Sequence, residues 1–280
     1  MAIKEFQSKK AWAGVFDIPV PDRIPRPRTM GWTMVIDKGL GLSQTRDLMA
    51  TAADYIDIVK LTFGTSAFFD YHLLKGKLKI ITQAGVYCMP GGTFQEVCVW
   101  QSTYDKYLER AQELGFNALE ISDGTIEMDE RTRKGVITKA VKAGFLVITE
   151  VGKKDPKEAL TMKTMAEEAD SDLSLGAFMV LVEAREAGKG VGIYDAAGVP
   201  KEEDIEELLQ GVKDPTRLMW EAPLTSQQKY LILKFGTNVN LGNVAPEDIL
   251  ALEALRCGLR GDTLKKAWKA NRDYKRPEGQ

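Results

Sequence analysis

Leu146-Val147-Ile148-Thr149-Glu150-Val151-Gly152-Lys153-Lys154 starts as a short apolar, β-branched run, meets a carboxylate, and turns through glycine into two lysines. Such a run, bounded by a turn signal, reads as a buried strand. A charge at its end is costly to bury unless it is paired or at work. The same junction recurs outward along the chain. Met34-Val35-Ile36 runs into Asp37-Lys38, and Ile56-Asp57-Ile58-Val59 into Lys60. Ala118-Leu119-Glu120-Ile121-Ser122 ends at Asp123, Phe178-Met179-Val180-Leu181-Val182 meets Glu183-Ala184-Arg185, and Leu218-Met219-Trp220 meets Glu221. Repetition on this scale suggests strand ends gathered around one polar pocket. In a closed parallel barrel those ends share one face, and that face carries the chemistry.

Strand and helix patterns alternate from Thr33 onward, the signature of repeated βα units. Strands are expected near 33–37, 55–61, 85–88, 117–122, 145–151, 177–183, 217–221 and 238–241. Helices are expected near 43–53, 66–75, 102–114, 129–143, 156–169, 202–210, 225–235 and 246–257. Eight of each favour an α/β fold with a single (β/α)8 TIM-type barrel over an open doubly wound sheet. Pro19, Pro21, Pro25 and Pro27 oppose regular pairing before it, so residues 1–28 read as an N-terminal extension. The barrel then spans 29–270, and 271–280 is a short charged tail expected to fray.

Composition narrows the chemistry. The 280 residues carry 38 basic and 40 acidic side chains, a net charge of −2 that gives no support to a nucleic-acid or membrane-surface partner. No apolar run approaches the roughly 18 residues that span a bilayer, and the N-terminus lacks the apolar core of a signal peptide. Cys88, Cys98 and Cys257 are too few and scattered for a disulfide scaffold or zinc site, which fits reduced thiols in a cytoplasmic protein. The single histidine, His72, sits on a helical pattern and reads as packing or surface. Acid–base work therefore falls to Lys, Asp, Glu or Tyr.

Five segments can carry that work. Pro90-Gly91-Gly92-Thr93 either brings backbone N–H groups up to an anion or is a plain tight turn. Gly64-Thr65-Ser66 offers hydroxyls and amides to an anion, or simply caps a helix. Lys153 and Lys154 stand side by side past a buried strand, where mutual repulsion is expected to depress at least one pKa and make it a proton donor near neutrality. Glu150, Glu183 and Glu221 end three consecutive strands and call for a cation among them. That cation is either Mg2+, which suits an all-oxygen set, or Lys60, Lys153 or Arg185. Leu241-Gly242-Asn243-Val244-Ala245-Pro246 leads from strand eight into a helix, where barrels often hold phosphate. Together these suit a small, multiply anionic substrate beside a divalent metal, in a reaction that develops an enolate-like charge.

In this order the segments resemble the phosphosulfolactate synthase family, which includes related heat-stress-associated plant proteins. The blocks are Asp37-Lys38-Gly39-Leu40, Asp54-Tyr55-Ile56-Asp57, Gly64-Thr65-Ser66, Pro90-Gly91-Gly92-Thr93, Glu120-Ile121-Ser122-Asp123-Gly124 and Glu150-Val151-Gly152-Lys153-Lys154. They continue with Glu183-Ala184-Arg185-Glu186, Glu221-Ala222-Pro223, Gln227-Gln228 and Gly258-Leu259-Arg260-Gly261-Asp262-Thr263, and reach from about 33 to 264. The resemblance implies a (β/α)8 barrel, a homo-oligomer, and a Mg2+-dependent carbon–sulfur lyase working synthetically. In that family sulfite adds to phosphoenolpyruvate and a lysine protonates the enolate-like intermediate, on the way to coenzyme M or sulfolactate.

Carried over residue by residue, the resemblance makes Lys154 the proton donor with Lys153 beside it. It makes Lys38, Lys60, Lys153, Arg185 and Arg260 candidate anion binders, and Asp37, Glu150, Glu183 and Glu221 candidate metal ligands or their supports. Thr62-Phe63, Phe94-Gln95-Glu96 and Thr225-Ser226 depart from the family pattern, the last by lacking a lysine that would hold a second anion. A barrel adding another nucleophile to phosphoenolpyruvate and a non-catalytic protective homologue are the alternative readings.

Overall fold

Each apolar run becomes a strand, in a computed structural model that describes residues 10–184 and 187–274. The strands are β1 (Thr33–Asp37), β2 (Ile58–Leu61), β3 (Tyr87–Pro90), β4 (Ala118–Ile121), β5 (Leu146–Val151), β6 (Met179–Val182), β7 (Leu218–Glu221) and β8 (Leu241–Val244). They form one sheet in the order β3-β2-β1-β8-β7-β6-β5-β4, parallel throughout. The ends of that order, β3 and β4, lie side by side. There Asn117 Oδ1 accepts from Cys88 N at 2.8 Å, so a side chain replaces part of the missing ladder. The result is a nearly closed (β/α)8 barrel.

Helices cover its outside: α1 (Leu42–Ala52), α2 (Tyr71–Gln83), α3 (Gly92–Trp100), α4 (Tyr104–Leu114), α5 (Glu130–Lys142), α6 (Met162–Ser174), α7 (Glu202–Gly211), α8 (Thr225–Phe235), α9 (Ile249–Arg256) and α10 (Gly261–Ala270). None of the described helices is long and apolar enough to cross a membrane. Helices α3 and α10 were not expected from periodicity. The helix expected at 66–75 starts at Tyr71, because Asp70 accepts from His72 N and Leu73 N and caps it there. The helix expected from 156 starts at Met162, capped by Thr161, and Pro156 opens only a three-residue 3-10 turn.

Strand eight starts at Leu241 rather than 238. Asn238 and Asn240 ahead of it spend their amides on loops: Asn240 Oδ1 accepts from Gly31 N and Trp32 N, and Asn238 Nδ2 donates to Asp22 O. The segment Leu241–Val244 is thus the strand itself and not the connection after it. Strand three is likewise displaced, ending at Pro90.

Two apolar layers result. Met34, Ile58, Met89, Ala118, Ile148, Met179, Leu181 and Met219 fill the barrel, with Trp32 below them. The larger cluster lies between strands and helices. Residues 10–28 form no helix or strand and run across the N-terminal end of the barrel. Arg23 Nε there pairs with Glu253 at 3.0 Å, Arg28 with Asp57 at 3.2 Å, and Val20 N donates to Cys257 O. Of the tail, 271–274 are described and the rest lies outside the described residues.

Candidate active site

Side chains along a strand alternate between faces, and that period places the site. Ile58, Ala118, Ile148, Leu181 and Met219 point into the barrel. Two residues further on stand Lys60, Glu120, Glu150, Glu183 and Glu221, each no more than 6% exposed. They surround a cavity of about 210 Å³, also lined by Ile36, Thr62, Phe63, Gly91, Gly92, Thr93, Thr125, Lys154 and Asn243.

Two ammonium groups hold four carboxylates. Lys60 Nζ lies 2.5 Å from Glu120 Oε1, 3.5 Å from Glu221 Oε1 and 3.9 Å from Glu150 Oε2. Lys154 Nζ lies 2.6 Å from Glu150 Oε1 and 3.0 Å from Glu183 Oε2. Glu221 Oε2 accepts from Ala184 N at 2.9 Å, and Glu120 Oε2 accepts from Gly92 N.

The charges sort accordingly. Burial and the neighbouring Glu150 and Glu221 push the Glu183 carboxyl well above the usual range, and it is hydrogen-bonded to Glu150. Burial lifts Glu120 to about 7 even against Lys60. Burial opposes ionisation of Glu150 too, but Lys154 and Lys60 outweigh it and hold that group down to about 2. Burial also works against both lysines, and the carboxylates overcome it, so Lys60 and Lys154 are both raised. For Lys154 this is the reverse of the depression expected from lysine–lysine repulsion. The adjacent side chains diverge: Lys154 enters the cavity, while Lys153 donates to Asp123 O at 2.7 Å and pairs with Asp123 Oδ2 at 3.2 Å.

The structure does not bring every candidate together. Asp37 faces the helices, where Lys77 Nζ pairs with it at 2.6 Å and Gly39 N and Leu40 N donate to it. Lys38 lines an adjoining cleft that shares Ile36 and Asn243 with the cavity. Gly64, Thr65 and Ser66 do not line the cavity: Thr65 Oγ1 donates to Thr62 O, and Ser66 lines an apolar hollow beside α4. Arg260 precedes α10 beyond Arg256, whose guanidinium bonds Thr237 O, Val239 O and Thr33 Oγ1 at the opposite end of the barrel. Arg185 lies outside the described residues. Gly92 N–H serves the protein's own Glu120 rather than an external anion. Gln227 and Gln228 brace loops through Gly188 O, Gly198 O and Ala222 O, and Thr225 does not line the cavity.

Sequence reasoning missed Glu120 as a site residue, although its spacing from Ala118 announces it. It also missed the buried Glu96 of α3, which accepts from Ser122 Oγ, Thr125 N and Ile126 N and shapes the β4 loop beside Lys154. Behind that loop Arg133 ties Asp123 to Asp172.

Among the described residues no three His, Cys, Asp or Glu side chains form a ready metal cage. Mg2+ does not require one: it usually takes one or two carboxylates and fills its shell with water and substrate oxygens. Glu150, Glu183 and Glu221 are oxygen donors of that kind, and all three line the one cavity.

The model of the (2R)-phospho-3-sulfolactate synthase (ComA) family matches residues 21–262. A phosphosulfolactate synthase of Methanothermobacter thermautotrophicus is 44% identical over 253 residues, covering 90% of this chain and 98% of the relative. One from Methanocaldococcus jannaschii is 42% identical, covering 84% and 94%. The plant protein HEAT-STRESS-ASSOCIATED 32 of Arabidopsis thaliana is 23% identical, covering 84% and 88%. In fold the chain is similar to a Rubisco-like protein from Rhodopseudomonas palustris, with a TM-score of 0.52 at 12% identity over 90% of this chain and 67% of that one. The chain belongs to the (2R)-phospho-3-sulfolactate synthase family, a family of lyase-type enzymes.

Proposed function

We propose that this chain is a phosphosulfolactate synthase, adding sulfite to phosphoenolpyruvate with Mg2+ to give (2R)-O-phospho-3-sulfolactate. The observation that carries the reading is Lys154 Nζ, poised in the cavity at 2.6 Å from Glu150 and 3.0 Å from Glu183. The sulfur lone pair of sulfite forms the C–S bond at C3, and the double-bond electrons move to C2 and the carboxylate. Lys154 then gives one proton to C2. Its raised pKa keeps it charged at neutral pH, and the carbanion-like centre is basic enough to take that proton. Lys60, in the wall of the same cavity, draws the anionic substrate in. When bound, Mg2+ supplies positive charge beside the substrate carboxylate, and Glu150, Glu183 and Glu221 are the residues that would hold it.

The test is consumption of phosphoenolpyruvate with sulfite, with and without Mg2+, by the wild type and Lys154→Met. The wild type is expected to form a phosphorylated sulfonate in a metal-dependent way. The variant should lose ~10²–10⁴-fold in kcat, the usual worth of a general acid, with its circular dichroism unchanged. Full turnover by the variant would remove Lys154 from its role. A wild type inert toward sulfite, yet active with another nucleophile, would replace the reaction.

A further inference from the structure

Strand β8 breaks the alternation that the other strands obey. Its pairing with β1 runs from Thr33↔Leu241 to Val35↔Val244, two steps on one strand against three on the other. An extra residue of this kind is a β-bulge, which re-aims a side chain and is frequent beside active sites. Gly242 faces the barrel interior, since a Cβ there would meet Met34 Cε at 2.9 Å and Leu181 Cδ1 at 3.0 Å. Simple alternation would then turn Asn243 outward and Val244 inward. Instead Val244 packs in the outer core between strands and helices, and Asn243 lines the catalytic cavity.

The backbone bears a cost for this. Asn243 has φ +54°, a left-handed conformation that few residues other than glycine accept. Its side chain is 3% exposed, and its Oδ1 is buried with no hydrogen-bond donor. A lone buried acceptor costs about 1–3 kcal/mol, and strain combined with an unmet polar atom marks a place where something binds.

The chemistry of Oδ1 selects the visitor. An amide oxygen repels the carboxylate, phosphate and sulfite oxygens of the substrates and attracts a cation. Lys60 and Lys154 are already held by Glu120, Glu150, Glu183 and Glu221. Resting on the proposal that the cavity works with Mg2+, we infer that Asn243 Oδ1 is an oxygen ligand of that divalent cation, presented by the bulge.

Mn2+ serves as the probe, followed by electron paramagnetic resonance on the full chain with and without phosphoenolpyruvate and without sulfite, so no turnover is needed. Asn243→Ala should weaken Mn2+ binding about tenfold or more, the scale of losing a supporting group at a metal site. Asn243→Asp keeps an oxygen in place and should bind at least as tightly as the wild type. Asn243→Gly relieves the left-handed strain, so it should fold as well as the wild type and still bind Mn2+ weakly. Unchanged Mn2+ affinity in Asn243→Ala overturns the inference. So does a variant that keeps Mn2+ but loses phosphoenolpyruvate, which would make Asn243 a substrate contact. A wild type that binds no Mn2+ in either condition removes the Mg2+ reading itself, a result distinct from failure of Asn243 alone.

Discussion

Lys60 answers three carboxylates from three different strands, and among the described residues only Glu150 has another lysine as near. Replacing it with methionine keeps the length of the side chain and strips its charge. Glu120 and Glu221 would then be buried without their cation, a loss of about 3–5 kcal/mol. Lys60→Met should lower the urea midpoint accordingly above pH 7, where Glu120 is charged, and an unchanged midpoint there would show that the barrel tolerates both side chains without Lys60. Glu120 also makes stability depend on pH. Its folded pKa is raised to about 7 from an ordinary 4.5, chiefly by burial. The folded protein therefore holds the extra proton between those values, and this group's contribution to stability falls as pH rises from 4.5 to 7. Glu150 has the opposite sign: held down to about 2, it stabilises above pH 4.5 and loses that contribution as pH falls toward 2. Urea midpoints from pH 4.5 to 7.5 should show Glu120→Gln gaining on the wild type as pH rises. Parallel curves would contradict the buried, protonated Glu120.

At the scale of elements, the turn from β3 into α3 shows why a glycine pair reads ambiguously in sequence. Gly92 is neither a plain turn nor an open anion cradle; it is the first residue of a helix pressed against β4. A Cβ there would sit 2.5 Å from Ser122 Oγ and 2.9 Å from Ser122 Cβ. Gly92→Ala should cost about 1–3 kcal/mol through overpacking. It should also lower turnover by displacing the Glu120 carboxylate that Gly92 N–H holds. Thermal unfolding and kcat measured on the same sample test both effects, and loss of neither would mean that β4 yields freely. The missed helix α3 has a physical reason: its buried face includes Gln95 and Glu96, polar residues that bond the β4 loop, so no apolar stripe announces it.

Across the whole molecule, the two ends of the barrel do different things. The C-terminal mouth concentrates charge around a cavity, while the N-terminal end is closed by arginines of the extension. Arg28, 6% exposed, pairs with the buried Asp57 at 3.2 Å and donates to Asp54 O, and Arg26 reaches Asp57 from 3.6 Å. Arg28→Met should destabilise by about 3–5 kcal/mol, because it takes the nearer cation from a buried carboxylate. Turnover per folded molecule should stay near wild type, since the site lies at the opposite end. A large fall in kcat with unaltered stability would show that the two ends are coupled.

The sequence by itself determined the barrel, the face that carries charge, and most of the ring of ionisable groups. All three follow from strand and helix patterns that alternate and from charges at the ends of short apolar runs, local patterns that need no knowledge of partners. Tertiary structure alone decided which charges meet. Lys153 and Lys154 are neighbours in the chain but turn to different carboxylates. Asp37 sits at a strand end yet faces outward to Lys77, and Arg260 falls at the opposite end of the barrel from the cavity. Asn243 enters the cavity only because one extra residue in β8 shifts the alternation. Those outcomes depend on register, on helix docking and on pairing across tens of residues, and adjacency in the chain does not encode them.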